Sequence, residues 1–141
     1  MQFFFQKNNK NNDQLFYEIE KVCNGLIYIS ETDAPVRAFA GQEVDLITSD
    51  FILQQTGKAG DVPVEERNFD EFFARLTANR DWHGREETER AKKFAELQKL
   101  LKENLRKLKV FTIGERRLEI FAVGISKDGC LMGIRTEAVE T

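Results

Sequence analysis

Few residues in this chain could do chemistry. Its one histidine, His83, and its two cysteines, Cys23 and Cys130, stand far apart in the sequence. A structural zinc needs four Cys or His ligands and a catalytic one needs three, so no metal site of that kind can be assembled. Two isolated cysteines read as reduced thiols rather than a disulfide scaffold, and neither has the neighbours that activate a nucleophile. Ser126 beside Lys127 lacks the glycine arrangement of a nucleophile elbow and sits at a hairpin turn. The carboxylate pairs Glu65-Glu66 and Glu86-Glu87 are the kind that are usually solvated. There is no P-loop, no G-x-G-x-x-G after a strand, no H-E-x-x-H and no EF-hand spacing. The expectation is a protein that is not an enzyme and has no cofactor or metal of its own.

Charge suggests what it meets instead. Twenty-one bases against twenty-four acids give −3, which argues against direct binding of nucleic acid through phosphate neutralisation. The charges are segregated along the chain. From Glu31 to Asp81 eleven acids face five bases, whereas from Arg85 to Lys109 nine bases face five acids. An acidic surface of this kind suits a basic protein partner. Within it, Trp82 between Asp81 and His83 is the type of aromatic that anchors interfaces, and Glu31 stands in a polar turn that runs to Pro35.

The elements that must position these residues follow from periodicity. Residues 1–12, with Phe3-Phe4-Phe5 followed by an NNKNN run, read as an N-terminal extension, and residues 13–141 as a single domain. A helix is predicted from about Asp13 to Asn24, capped by Asn12 or Asp13, with Leu15, Phe16, Ile19, Val22 and Cys23 on its apolar face and Gly25 ending it. GLIYIS and VRAFAG read as strands with a loop from Ser30 to Pro35 between them. Thr48 or Ser49 opens a short helix to Thr56, ended by Gly57, and Gln54, Gln55 and Thr56 are expected to hold the turn there. Asn68 with Glu71 opens a third helix that buries Phe69, Phe72, Phe73 and Leu76. Arg80 to Gly84 is an exposed connection. The longest helix is predicted from Arg85 to Leu108 on a stripe of Ala91, Phe94, Ala95, Leu97, Leu101, Leu105 and Leu108. KVFTIG, RRLEIFAVGIS and CLMGIRTEAV then form an antiparallel meander, from which Glu137 to Thr141 run off as a free end. This order predicts an α+β fold. No apolar run approaches the roughly 18 residues of a membrane span and no signal-peptide core is visible, so a cytoplasmic location without membrane attachment is expected.

With the elements placed, a resemblance appears. NGLIYISETDAP, FILQQTG, NFDEFFARLT, the RDW before the long helix, VFTIGE and the closing TEAVET occur in the order and at nearly the spacing of the nuclease A inhibitor family. These blocks extend from about Leu15 to Thr141. The resemblance implies a three-layer α-β-α sandwich with a mostly antiparallel sheet, related to the pathogenesis-related-1 proteins. It implies a protein inhibitor of a sugar-nonspecific, magnesium-dependent DNA/RNA endonuclease of the ββα-metal type. Carried over residue by residue, the partner-binding set is Glu31 in ISETDAP, Asp81 and Trp82 in RDW, and Thr141, which would contact the magnesium of the bound nuclease. The sequence departs from the family at His83-Gly84-Arg85, where members are more acidic, and in residues 1–12, which match nothing. The alternative is a binding module of the same fold for a different basic protein partner.

Overall fold

The computed structural model describes residues 11–140. Helix α1 (Asn12–Cys23) is opened by Asn11, whose side chain accepts the Gln14 N–H at 2.8 Å while the Gln14 side chain accepts the Asn11 N–H in return. The cap therefore falls one residue before the expected Asn12, because only the residue with extended backbone can turn its side chain onto the first free N–H groups. Two short antiparallel strands follow, β1 (Ile27–Ile29) and β2 (Asp33–Pro35), so the loop expected over Ser30 to Pro35 shrinks to residues 30–32. Strand β3 (Arg37–Glu43) matches VRAFAG. Helix α2 (Ser49–Gln55) is capped by Thr48, whose hydroxyl accepts the Phe51 N–H at 3.1 Å. Strand β4 (Val64–Arg67) was not foreseen, and α3 (Phe69–Thr77) begins where Asn68 accepts the Glu71 N–H at 3.0 Å. Helix α4 (Arg85–Asn104), β5 (Arg106–Ile113), β6 (Arg117–Ile125) and β7 (Cys130–Val139) complete an α+β fold.

The larger sheet has the antiparallel order β3-β7-β6-β5-β4. Its side chains alternate with the strand period of two, and both sets find cover. Val110, Leu118, Ile120, Ala122, Met132, Ile134 and Ala138 pack with α1, α3 and α4, against Leu15, Ile19, Phe72, Phe73, Phe94, Leu97 and Leu101. Phe111, Ile113, Phe121, Val123, Ile125 and Leu131 pack with Ile47, Ile52 and Leu53 around α2. Covering both faces makes the central strands hydrophobic over long runs, as in IFAVGI at residues 120–125, and fully burying each large side chain contributes about 1.5–3 kcal/mol. Thr136 donates its hydroxyl to the Pro35 carbonyl at 3.0 Å, which ties the small sheet to the large one.

Two sequence expectations are corrected at strand ends. The long helix stops at Asn104 rather than Leu108, because Leu105 takes extended backbone and the chain enters a β-bulge between Arg106 and Lys109, with Lys107 in the left-handed region at φ 56°. Leu105 stays buried all the same: it lies against Gly124, where an added Cβ would come within 2.9 Å of it. Ala95 of the expected stripe is exposed. Residues 137–140, expected as part of a free end, are instead held by the sheet, and Thr141 lies outside the described residues. Glu137 pairs with Glu119, Val139 pairs with Arg117, and the Glu140 N–H donates to the Arg116 carbonyl at 2.9 Å.

At the β3 edge of the sheet, Gln55 from α2 takes the place of a neighbouring strand. Its Oε1 accepts the Gln42 N–H at 2.8 Å and its Nε2 donates to the Gln42 side chain at 3.2 Å. Gln55 therefore holds the sheet edge as well as ending its helix, and Gly41 beside it leaves the room, since a Cβ there would lie 2.8 Å from Gln55 Oε1.

Candidate functional site

The Arg80–Gly84 connection is a tight turn. The His83 N–H donates to the Arg80 carbonyl at 3.0 Å, which closes four residues and leaves Asp81 and Trp82 at the two central positions, where side chains project furthest. The Arg80 N–H reaches His83 Nδ1 at 3.4 Å, so the histidine serves the turn. Trp82 is 76% exposed, touching the His83 ring edge-on at 4.4 Å, and Asp81 is exposed beside it. A tryptophan of the core would show almost no surface, so Trp82 does not belong to the core. The Glu87 carboxylate then accepts the Gly84 N–H, which fixes the point where the turn hands over to α4.

Glu31 is positioned differently. Ser30 is the hub of its loop: its hydroxyl donates to the Thr32 carbonyl at 3.0 Å and accepts the Val139 N–H at 3.0 Å, and the Glu31 N–H donates to the Val139 carbonyl at 3.4 Å. The Glu31 loop is thereby bound to the last residues of β7. Between them runs an open groove of about 570 Å³ lined by Tyr28, Ile29, Ser30, Glu31, Arg75, Leu76, Val139 and Glu140. Its floor is aromatic, with Tyr28 stacked on Phe72 at 6.0 Å between ring centres. Burial pushes the Tyr28 hydroxyl pKa up, opposed by Arg75 and Arg67 and assisted by Glu140, so the phenol stays neutral among charges of both signs.

Of the four sequence-predicted residues, Asp81 and Trp82 share one turn, and Glu31 lies against the end of β7. Thr141 is outside the described residues, one residue beyond Glu140 in the groove wall. The two parts are near each other by chain length alone: Leu76 lines the groove, and five residues from Leu76 to Asp81 span at most about 17 Å. The groove residues Tyr28, Ile29, Arg75 and Glu140 were not singled out from the sequence, and Leu76, expected in the core, is only partly buried. Ile29 carried a usable signal, since an isoleucine at the outward position of a short strand stays 49% exposed.

A family model described as nuclease A inhibitor-like protein matches residues 13–141. The chain belongs to the nuclease A inhibitor-like family. No curated protein matches it closely enough to add to that finding. Family membership implies a nuclease inhibitor role, and an inhibitor meets its enzyme through a surface, which is where an exposed acid and tryptophan on one turn are useful. Other groups belong to the scaffold. Ser126 is buried, with its hydroxyl accepting the Cys130 N–H at 3.2 Å and its carbonyl accepting from Arg106 at 2.8 Å, so it holds the hairpin. Cys23 and Cys130 are free thiols, the first buried and the second partly so. Among the described residues no three His, Cys, Asp or Glu side chains come close enough to hold a metal ion, and no helix is long and apolar enough to cross a membrane.

Proposed function

We propose that this protein inhibits a sugar-nonspecific, magnesium-dependent endonuclease of the ββα-metal type by covering its active-site cleft. The observation that carries the proposal is Trp82, 76% exposed at the tip of a closed turn with a carboxylate next to it. Such an enzyme grips phosphate with basic side chains, so Asp81 and Glu31 act as stand-ins for phosphodiester oxygens while Trp82 fills the central contact. Thr141 supplies a hydroxyl and a carboxylate, hard oxygens of the kind Mg²⁺ accepts at about 2.0–2.1 Å. β7 continues to Val139, and the two residues from there to Thr141 reach about 7 Å at most. The same proposal takes the helices on both faces of the sheet as a three-layer sandwich of the pathogenesis-related-1 kind, and places the protein in the cytoplasm, with the nucleic acid it protects.

The test is titration of a purified ββα-metal nuclease. Inhibition is expected to end at one inhibitor per enzyme, and gradual slowing without an endpoint counts against cleft covering. Removal of Thr141, or a tag that blocks its carboxylate, is expected to weaken inhibition by roughly 10–1000-fold, on the scale of about 1.4 kcal/mol per decade, with folding intact. Undiminished inhibition by the tagged protein would overturn the role of Thr141 at the metal.

A further inference from the structure

A second groove runs between one flank of α1 and the open edge of the large sheet. Its two parts, of about 700 Å³ and about 340 Å³, share Tyr17 and Glu20. Helix and strand run in opposite directions along it: Asp13 and Phe16 line one part with Ala40 and Gly41, and Lys21 lines the other with Arg37. Tyr17, common to both, is 62% exposed. The strand wall is unfinished, because β3 stands last in the strand order with β7 on one side only. Its margin is closed at two points, where the Val36 N–H donates to the Leu26 carbonyl at 3.0 Å and the Gln42 N–H to Gln55 at 2.8 Å. Successive N–H groups of a strand point to opposite sides of the ladder, so with residues 36 and 42 turned away from β7, Ala38 and Ala40 turn the same way. Among the described residues no turn, cap or side chain takes their N–H groups.

We propose that this groove takes a short extended segment of another protein as an added strand on β3, with a cation towards Asp13, an apolar side chain beside Tyr17 and a carboxylate towards Lys21 and Arg37. The surface is separate from the inhibitory one: Glu31 and Glu140 line a different groove, and Asp81 and Trp82 belong to the α3–α4 connection. A segment laid on an open edge gains main-chain bonds, and the helix beside the edge supplies the pocket for its alternate side chains. Here that pocket is walled by Phe16, Tyr17, Leu131 and Met132. Charge sets the direction. Asp13 and Lys21 are exposed on α1, and the helical rise places them about 12 Å apart along its axis, close to the roughly 14 Å between the first and fifth residues of a strand. A visitor antiparallel to β3 enters at Gly41 and leaves at Arg37, so its cation comes first and its carboxylate last. The bonds at Val36 and Gln42 limit the added strand to the stretch between them, Arg37 to Gly41.

The probe is the peptide acetyl-Lys-Thr-Leu-Thr-Glu-amide, whose lysine, leucine and glutamate share one face when extended. Added at saturation to the full-length protein, it is expected to slow amide hydrogen exchange at Ala38 and Ala40 by about tenfold, and the isomer with lysine and glutamate interchanged is expected to bind about fivefold more weakly. Ala40→Pro removes an N–H that the sheet itself does not use, at an edge where proline is tolerated, and is expected to abolish binding. Tyr17→Ala, at an exposed position, is expected to weaken binding by about threefold to tenfold with the melting temperature unchanged, and it carries the test if the proline variant does not fold. Unchanged exchange at both alanines in millimolar peptide overturns the proposal, and so does equal binding of the two isomers. Slow exchange at Ala38 and Ala40 in the absence of peptide also overturns it: loss of that slowing on about hundredfold dilution assigns the margin to a second copy of the chain, and its persistence assigns the margin to the chain itself.

Discussion

The two loops that carry the sequence-predicted acids are built on opposite plans. The Glu31 loop is sewn into the fold: Ser30 bonds to Thr32 and to Val139, and Glu31 itself donates to Val139, so the loop and the end of the sheet move together. The Asp81–Trp82 turn closes on itself through Arg80 and His83, and the tryptophan lies almost wholly in solvent. In the first region the Ser30 hydroxyl cannot be removed without disturbing the scaffold. In the second, the side chains at the tip can be changed with little effect on the scaffold, because Asp81 and Trp82 are exposed.

This contrast can be broken experimentally, and the largest effect is expected at Trp82. Trp82→Ala should cost about 2–4 kcal/mol of nuclease binding, the scale of an aromatic hot spot, with a melting temperature that scarcely moves. A protein that instead melts many degrees lower would show that the turn supports the fold. Ser30→Ala comes next and should act on both quantities. It strips a partner from the partly buried Val139 N–H, so unfolding free energy should fall by about 1–2 kcal/mol in a denaturant titration, and inhibition should weaken with it as Glu31 and the chain end lose their common anchor. If stability falls while inhibition is unchanged, the two loops are not parts of one surface. Asp81→Asn should be milder, about 0.5–1.5 kcal/mol, read as faster dissociation with a shallower dependence on salt, because an exposed charge contributes chiefly through screened attraction.

The smallest effect belongs to neither loop and serves as the reference. Burial pushes the Cys23 thiol pKa from 9.0 up to about 12, with Lys93 opposing and Glu20 assisting. The native state thus holds its proton over a range in which the unfolded chain releases it. Stability contributed by this group is complete well below pH 9 and is lost as pH rises from 9 towards 12, with only the beginning of the loss at pH 9 itself. Comparing unfolding of the protein and of Cys23→Ala across pH 7 to 10 checks the sign: the slope difference should be a relative loss for the unchanged protein, while inhibition measured at pH 7 should be the same for both.

Much of the scaffold could be read from side-chain periods, and the failures have local causes. The α3 start was visible because Asn68 with Glu71 at the third helical position is a chemical arrangement, legible without tertiary context, whereas the α1 cap was placed one residue late. Strand β4 was missed because Val64-Glu65-Glu66-Arg67 is charged, as suits an edge strand that bonds to β5 on one side only. Strand β2 was missed because Asp33-Ala34-Pro35 has the composition of a turn, yet Ala34 is buried and Thr136 holds Pro35 from the other sheet. The overrun of α4 arose because Leu105 and Leu108 continue a helical stripe and also suit the start of a strand, and only the contact with Gly124 decides between them. At the site, the type and order of Glu31, Asp81 and Trp82 were legible. The groove formed by Tyr28, Arg75 and Glu140 was not, since it joins residues that are more than forty positions apart.

The amide that Gln55 lends to Gln42 has a consequence for the protein in a crowded cell. An open strand margin can recruit an identical margin from another molecule, and repeated recruitment is how soluble β-rich proteins stack into fibrils. A side chain placed on that margin occupies the bond that a docking strand would need, and being short and attached to a helix it cannot propagate the ladder. Gln55 therefore acts as a terminator, and the part of the β3 margin it blocks lies where Glu43 and the β3 bulge already disturb the regular spacing. A sheet margin stopped in this way keeps the protein dispersed at high concentration.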